Sequence, residues 1–382
     1  MLGGRVFLGA SKKRLKYIKI IKKIVDNSMR LLNQYLFSRL LTSVLMVLLV
    51  ICSLDILSKF IDELDNITNN YTFLEVCIHL ALNIPGSIYR YMPFATLVGV
   101  LIGLGSLAST SELIIMRAAG VSLLRLAFSV IKPVLLLIIV VLLLAEYVIP
   151  TAGQYSENRR DIKRQGIKTE QSSYGGLWNR EGNEYMHFNS VQANGQLLGV
   201  TRYNFDAKNE LTSTSFAQSA IYINGQWQEE NIVETVITES VIEQHSYQTR
   251  PWNIQLSPAL LSVLVQQPED LSISKLYFYI AYLEQQNIDN SAYKLSFWNK
   301  ILQPLAIISL VVISISFIFG PLREVTMGYR IFSGVVVGII FQLTQKLLGP
   351  TSLVYGFAPL VAVLIPIIFC FGLGFFLLLR NR

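Results

Sequence analysis

Asp55 and Lys59 stand at the end of an apolar run that covers about residues 36–57. Side chains four residues apart on a helix are neighbours, so this carboxylate and this ammonium can form a local ion pair. The other chemistry open to Lys59 is binding of an anionic ligand, because charges near a membrane are costly and often functional. By themselves, the two residues favour the ion pair.

Other reactive groups offer little. The phosphate-binding loop G-x-x-x-x-G-K-[ST] is absent and Gly is never followed by Lys, so ATP cannot bind by that route. No Ser, His and Asp residues share a useful local spacing, which is weak evidence against an enzyme because triads are often scattered. Neither a metal site nor a disulfide framework is predicted from the cysteines and histidines, which are Cys52, Cys77, Cys370, His79, His187 and His245. We expect no cofactor.

The segment 108–122, ASTSELIIMRAAGVS, lies between two apolar runs. A hydroxyl of residues 109–111 can cap a helix start, and Glu112 lies where a carboxylate complements the helix dipole. Gly120 suits the helix end. We therefore expect an amphipathic helix over 108–120, whose apolar face is covered by lipid headgroups or by a groove on a soluble partner. Its candidate docking residues are Ser111, Glu112, Leu113, Met116 and Arg117.

Two glycine pairs have the spacing of close helix contacts. Gly99 and Gly103 are four residues apart, and so are Gly334 and Gly338. Small residues at this spacing let two helix backbones approach each other in a membrane. The pairs predict helix packing without naming the partner helix.

These residues need elements to position them, and the composition predicts membrane helices. Charged residues make up only 15% of the 382-residue chain and hydrophobic residues 52%. A membrane-spanning helix takes about 20 apolar residues. Six runs are candidates, the second of which we expect to extend back into 73–91: residues 36–57, 92–108, 123–148, 301–320, 331–348 and 357–379.

The distribution of charge predicts the orientation. Nine Lys and Arg against one Asp give residues 1–34 a local charge of +8, although the whole chain carries +7. Basic residues favour the cytoplasmic side of a membrane. Both termini are then cytoplasmic and residues 149–300 lie outside. The basic balance belongs to one tail, so it argues for a membrane surface and against nucleic acid.

Residues 1–30 form a basic amphipathic extension with two open readings. It is either an interfacial anchor on anionic lipid or an artefact upstream of a true start at Met29.

The stretch between the third and fourth runs has the pattern of a β domain. From about 172 to 250, short β-type runs such as EYMHFNSV and AIYINGQW alternate with turn signals such as NREGN and INGQ. We predict a small antiparallel sandwich or roll. The expected division is an extension at 1–30, three spans at 31–150, the β domain at 151–265, a helical connector at 266–300 and three further spans at 301–382.

Several motifs resemble the LptF/LptG permeases of the lipopolysaccharide exporter, with the LptG branch the nearer one. They occur in the family's order from about residue 30 to the C-terminus: SELIIMRAAGVS, GGLWNREGNEYMHF, YKLSFWNKILQPL, FIFGPLREVTMGYR and LGPTSLVYGFAP. The resemblance implies an α-helical membrane protein of six transmembrane helices with an inserted periplasmic all-β, jellyroll-like domain, located in the bacterial inner membrane.

The resemblance also implies function and partners. Family members extract lipopolysaccharide from the inner membrane and pass it through the β domain toward the outer membrane. They are not enzymes, because ATP hydrolysis is supplied by a separate subunit. The implied partners are an LptF-like permease, an LptB-like ATPase dimer, LptC-like and LptA-like periplasmic proteins, and the lipid itself.

For the site, the resemblance implies that residues 108–120 are a coupling helix in which Glu112 meets the ATPase. It also implies that Lys59 contacts lipid A phosphates, whereas the residues alone favour the ion pair with Asp55. The match is incomplete, since further lysines of some members fall here at Asp65, Asn66 and Gly86. Candidates for the missing charge are Arg90, Arg159, Arg160 and Arg164.

Two other classes stay open at this point. One is the sister subunit LptF or the permease of another lipid exporter. The other is a non-transporting membrane scaffold or a membrane enzyme.

Overall fold

The computed structural model describes residues 4–380, with side chains from residue 31 onward. Outside the description are residues 69, 166–176, 192–194, 207, 209, 239–240, 255, 259–260, 262–266, 287 and 321–324, together with the side chains of 123–124, 158, 161–162, 164–165, 177 and 190.

In the part of the chain that the structure describes, α-helices lie before and after the inserted segment. They are α1 (Gly4–Leu64), α2 (Phe73–Ser109), α3 (Glu112–Ala118), α4 (Leu123–Leu143), α5 (Ile149–Gln165), α6 (Ile273–Gln285), α7 (Ser291–Phe319), α8 (Met327–Tyr355) and α9 (Pro359–Arg380). A π-helical segment, Leu144–Val148, joins α4 to α5. Within the described residues, six helical stretches are long and apolar enough to cross a membrane, so the predicted six-span fold is confirmed. The second span begins at Phe73, as the interrupted apolar stretch before it predicted.

The centre of the helical bundle is α2. It packs against α1, α7 and α8, and its Leu97, Val100 and Leu101 are fully buried. A helix that is apolar on all sides is expected in such a central position. By contrast, α1 and α8 expose large apolar side chains such as Leu49 and Phe332, which suits helices that face lipid or another membrane chain.

The inserted segment forms one antiparallel sheet. Its strands are β1 (Leu177–Glu181), β2 (Glu184–Val191), β3 (Leu197–Phe205), β4 (Leu211–Ile223), β5 (Gln226–Ile237) and β6 (Ile242–Trp252), each paired with the next in the chain. Asn224 and Gly225 both have positive φ, 52° and 87°, in the turn between β4 and β5. Such a two-residue turn matches the twist of a hairpin, so the predicted turn signal INGQ is confirmed.

The predicted jellyroll connectivity is more specific than this sheet. The strands that the structure describes follow one another in sequence order within a single sheet. A jellyroll pairs two sheets through Greek-key connections. The inserted all-β segment is therefore confirmed, whereas its jellyroll connectivity stays a prediction.

One face of the sheet is covered by α6. Phe188, Trp227 and Trp252 of the sheet are buried in the same cluster as Leu276 and Tyr279 of α6. The helix that leads from the sheet back to the membrane is therefore also part of the core of the sheet.

Candidate functional site

Lys59 lies in a polar cluster between α1 and α2. Its ammonium nitrogen is 2.7 Å from a carboxylate oxygen of Asp55 and donates to Ser87 at 2.8 Å. The hydroxyls of Ser87 and Tyr91 also donate to Asp55, at 2.6 and 2.8 Å. The local ion pair is thus present, and the Lys59 side chain keeps 32% of its surface exposed. An ammonium has three donors, so one remains for an anion.

Arg160 is engaged by the chain itself. Its guanidinium makes a two-point ion pair with Glu63 at 2.8 and 3.0 Å, which ties α5 to α1. Arg159 makes the corresponding pair with Glu75 of α2, at 2.6 and 3.0 Å. Although burial lowers the pKa of Arg160, its bonds to Glu63 raise that pKa overall. These arginines fasten α5 to the first two spans, and any anion would have to compete with a paired carboxylate.

Arg90 lies in a different setting, beside a lysine that the sequence analysis did not single out. Arg90 and Lys346 line the same pocket of about 140 Å³ between α2, α7 and α8. Phe94 and Phe341 form part of its apolar wall, and Gln342 also lines it. Neither cation forms an ion pair with any residue that the structure describes. Two cations with no carboxylate at ion-pair distance, beside an apolar pocket, suit a phosphate attached to acyl chains.

The sequence did carry a signal for Lys346. It is the one lysine inside the fifth apolar run, 331–348, and an ionisable residue within a span is a functional candidate by default. The sequence could not show that Lys346 lines the same pocket as Arg90, because the two residues lie on helices that are far apart in the chain.

The segment around Glu112 is a shorter helix than predicted. It spans Glu112–Ala118, because α2 continues through Ser109. The expected hydroxyl cap is wrong: Ser111 stands at the cap position in a left-handed conformation, φ 61°, and its side chain makes no cap hydrogen bond. A capping side chain needs an extended backbone, which the short connection from α2 does not allow. Thr110 instead donates to the Glu112 carboxylate at 2.9 Å.

The two faces of α3 have different surroundings. Leu113 and Met116 are buried in the core of the bundle, where they hold the helix in place. Ile114 and Ile115 are exposed, by 57% and 66%, and Arg117 is exposed beside them. The apolar side chains open to a partner are therefore these two isoleucines, which the sequence analysis did not name. Gly120 ends the segment with φ 88°, in the left-handed region.

The four glycines lie at helix contacts within the chain. A Cβ at Gly99 would stand 2.5 Å from Val44 Cα, and one at Gly103 would stand 2.9 Å from Leu40 Cδ2. Gly334 and Gly338 face α2, where added Cβ atoms would stand 2.4 Å from Leu101 Cδ1 and 2.5 Å from Phe94 Cδ2. The first pair lets α1 approach α2, and the second lets α8 approach α2.

The sheet holds a charge network that the sequence analysis missed. Glu229 of β5 is fully buried and accepts from Arg202 at 2.8 Å and from Arg250 at 3.2 Å. Arg202 also pairs with Glu184, and Arg250 with Glu234 at 2.8 Å. Although burial lowers the pKa of Arg250, Glu229 and Glu234 raise it overall. Alternating charges on strands predict exposed faces, so only the three-dimensional pairing reveals this network.

Among the residues that the structure describes, no three His, Cys, Asp or Glu residues are grouped so that they could hold a metal ion.

Six membrane-spanning helices with an inserted antiparallel sheet define a multi-pass membrane protein. The profile of one protein family, described as lipopolysaccharide export system permease LptF/LptG, matches residues 34–380. The LptG permease of Escherichia coli K12 is 32% identical over 357 residues, which cover 92% of this chain and 98% of that protein. LptG of Haemophilus influenzae is 31% identical over 354 residues, with 92% and 99% coverage. The chain belongs to the LptF/LptG family of lipopolysaccharide export permeases.

Family membership decides between the classes left open by the sequence. The chain is an LptG-like permease subunit, and the ATP hydrolysis of such an exporter comes from a separate ATPase subunit. A membrane enzyme and a non-transporting scaffold are no longer required to explain any feature of the chain.

Proposed function

We propose that this chain is one permease half of a complete exporter in the bacterial inner membrane. It pairs with an LptF-like subunit and binds an LptB-like ATPase dimer. It delivers lipopolysaccharide by way of its sheet to LptC-like and LptA-like proteins. The proposal rests on α3, a short helix at one end of the bundle. Two of its isoleucines, Ile114 and Ile115, are exposed next to Glu112 and Arg117.

The orientation follows from the same end of the bundle. Arg39 of α1 lies close enough to Glu112 for their charges to interact, so the basic part of α1 and α3 share one side. Basic residues favour the cytoplasmic side. Both termini and α3 are then cytoplasmic, and the sheet is periplasmic. The ATPase meets α3 by the helix-in-groove mode, with Ile114 and Ile115 as anchors and Glu112 as the charged contact.

Lipid phosphate is bound at the opposite end of the spans. Arg90 and Lys346 are the stronger contacts, because they share a pocket and have no carboxylate partner among the described residues. Lys59 contributes through its exposed part, and Arg160 contributes only if a phosphate displaces Glu63. Basic side chains near anionic lipid each supply about 1 kcal/mol.

Purification of the complex tests the docking assignment. We expect Ile115→Glu to lose the ATPase from the purified complex, because a charge would replace an apolar anchor in the groove. Ile67→Glu is the matched control, since Ile67 is also an exposed isoleucine, 40% exposed, but lies in the loop between α1 and α2 at the other end of the bundle. An Ile115→Glu complex that retains the ATPase as fully as the Ile67→Glu complex would overturn the assignment of α3.

A further inference from the structure

Glu146 caps a helix that belongs to another part of the fold. Its carboxylate accepts from the backbone N–H of Ile273 at 3.0 Å and from the hydroxyl of Ser274, the first two residues of α6. A carboxylate at a helix N-terminus satisfies N–H groups that have no intrahelical partner and complements the helix dipole. Glu146 therefore fixes the start of α6 to the third membrane span.

An uncommon backbone conformation presents this carboxylate. Glu146 lies in the middle of the π-helical segment Leu144–Val148. Isolated π turns interrupt α-helices rarely and are frequent at functional sites. Because a π turn has more residues than an α turn, it changes the direction in which the enclosed side chains point. Here the enclosed side chain points at the first turn of α6.

A second charged residue holds the same turn from the fourth span. Lys300 of α7 is 3% exposed, and its ammonium donates to the backbone carbonyl of Leu271. It forms no ion pair with a residue that the structure describes. Asp270, Glu146 and Glu269 lie close enough for their charges to attract the ammonium, although none is within ion-pair distance. Removing a lysine from water is costly, so its hydrogen bond to the Leu271 carbonyl helps to compensate its burial and secures the loop. We call Glu146, Lys300 and residues 271–274 the α6 clamp.

The helix that the α6 clamp holds is built into the sheet. Leu276, Tyr279 and Leu283 of α6 are buried in one cluster with Trp227 and Trp252. The chain therefore runs from two membrane spans, through two charged contacts, into the core of the sheet. The first turn of α6 is held by the third and fourth spans, and its buried face packs with the sheet, so α6 connects the two.

We propose that Glu146 and Lys300 are positioning residues for transport, which carry movement of the third and fourth spans to the sheet through α6. The inference rests on the proposed transport function. Neither residue needs to touch the lipid. Without the α6 clamp, the complex would still assemble and hydrolyse ATP, but the sheet would no longer move together with the third and fourth spans.

Three variants of the purified complex test the α6 clamp, with ATP hydrolysis and ATP-dependent lipid release measured side by side. For Glu146→Leu and Lys300→Met we expect hydrolysis close to wild type and lipid release lower by about fivefold or more, the range of ordinary coupling effects. The matched control is Thr151→Val, on the same helical stretch, whose hydroxyl, among the residues that the structure describes, bonds only to the carbonyls of Tyr147 and Val148. Its ratio of release to hydrolysis should equal that of the wild type.

Spin labels supply a reading that a purely structural role would not change. Labels at Gln248 of β6 and Phe128 of α4, both exposed, are placed in a chain whose three cysteines are replaced by alanine. We expect one narrow distance distribution, with and without ATP, when the α6 clamp is intact, and a broader one in Glu146→Leu. If Glu146→Leu does not assemble, Ser274→Ala removes one bond at an exposed hydroxyl and should shift both readings in the same direction.

Two results would overturn the inference. One is an unchanged label distribution in the clamp variants. The other is a loss of lipid release that only parallels a loss of assembled complex. A wild-type complex that releases no lipid would instead count against the proposed function, since the label distances report on the α6 clamp independently of transport.

Discussion

Gly99 and Val44 bring the backbones of α1 and α2 into direct contact. A Cβ at position 99 would lie 2.5 Å from Val44 Cα and 2.9 Å from Val44 N, so the obstacle is main chain and cannot rotate away. Gly86 lies on the same helix, and a Cβ there would meet no atom within 4 Å. The contact between α1 and α2 therefore requires glycine at position 99 of α2 but not at position 86.

The first prediction concerns this pair of glycines. Gly99→Ala should destabilise the protein by about 1–3 kcal/mol, because α1 and α2 must separate to admit one methyl group. Gly86→Ala should be neutral or should stabilise by up to about 1 kcal/mol, because alanine favours a helix more than glycine does. Thermal unfolding of both variants in detergent measures the difference. Equal midpoints for the two variants would show that the contact at Gly99 is not tight.

The second prediction concerns the charge network of the sheet. Arg202→Ala removes one of two guanidinium groups from the fully buried Glu229 carboxylate. Breaking a buried pair typically costs about 3–5 kcal/mol, because the remaining charge is left without compensation. Because Arg250 still pairs with Glu229, we expect the loss of stability to lie at the lower end of that range. Resistance of the sheet to proteolysis should fall accordingly.

Arg180→Ala provides the control for this network. Arg180 lies on β1, where its guanidinium bonds to the Gly182 carbonyl and lies over the Tyr185 ring on the exposed side. Surface substitutions of this kind usually change stability by no more than about 0.5 kcal/mol. If the two variants resist the protease equally, the buried network does not stabilise the sheet.

Local patterns were sufficient to predict most of the elements. The six spans follow from apolar length, and the start of α2 at Phe73 follows from an apolar stretch that Pro85 interrupts without ending the helix. The hairpin turn at Asn224 and Gly225 follows from residue types that tolerate positive φ. These features depend on neighbouring residues alone, which is why one sequence reveals them.

Contacts between distant residues were not predictable in the same way. Lys346 lines the same pocket as Arg90 because α8 packs on α2, and Glu146 reaches α6 from a π-helical segment of the third span. The capping rule failed at Ser111 for a related reason, since the continuation of α2 through Ser109 leaves no extended residue before α3. Tertiary geometry decided each of these cases.

The third prediction concerns the pocket between α2 and α8. Arg90→Gln and Lys346→Gln should each weaken lipopolysaccharide binding by about 1 kcal/mol, or about fivefold, because each removes one cation from the phosphate site. Lipid bound to the purified complex measures the effect. The double variant should lose less than the two single losses combined if both cations meet one phosphate, since contacting residues are not additive. Unchanged binding in both single variants would assign the pocket a packing role.

Fully additive losses at the pocket would carry a different meaning. They would indicate that Arg90 and Lys346 contact separate anionic groups. Phe369→Leu is a suitable control, because Phe369 is a 68% exposed residue of α9 and does not line the pocket. Its lipid binding should equal that of the wild type.

The last prediction separates the two roles open to Lys59. Lys59→Ala should reduce ATP-dependent lipid release, and Lys59→Asp should reduce it further, because it adds repulsion of phosphate to the loss of attraction. If Lys59 served only the Asp55 pair, Asp55→Ala/Lys59→Ala would restore release, since no buried carboxylate would then lack its cation. We expect no such rescue, because Lys59 keeps 32% of its side-chain surface exposed for contact with a phosphate and the double variant still lacks that charge. Release by all three variants, compared at equal amounts of assembled complex, decides: recovery in the double variant would return Lys59 to a purely structural role.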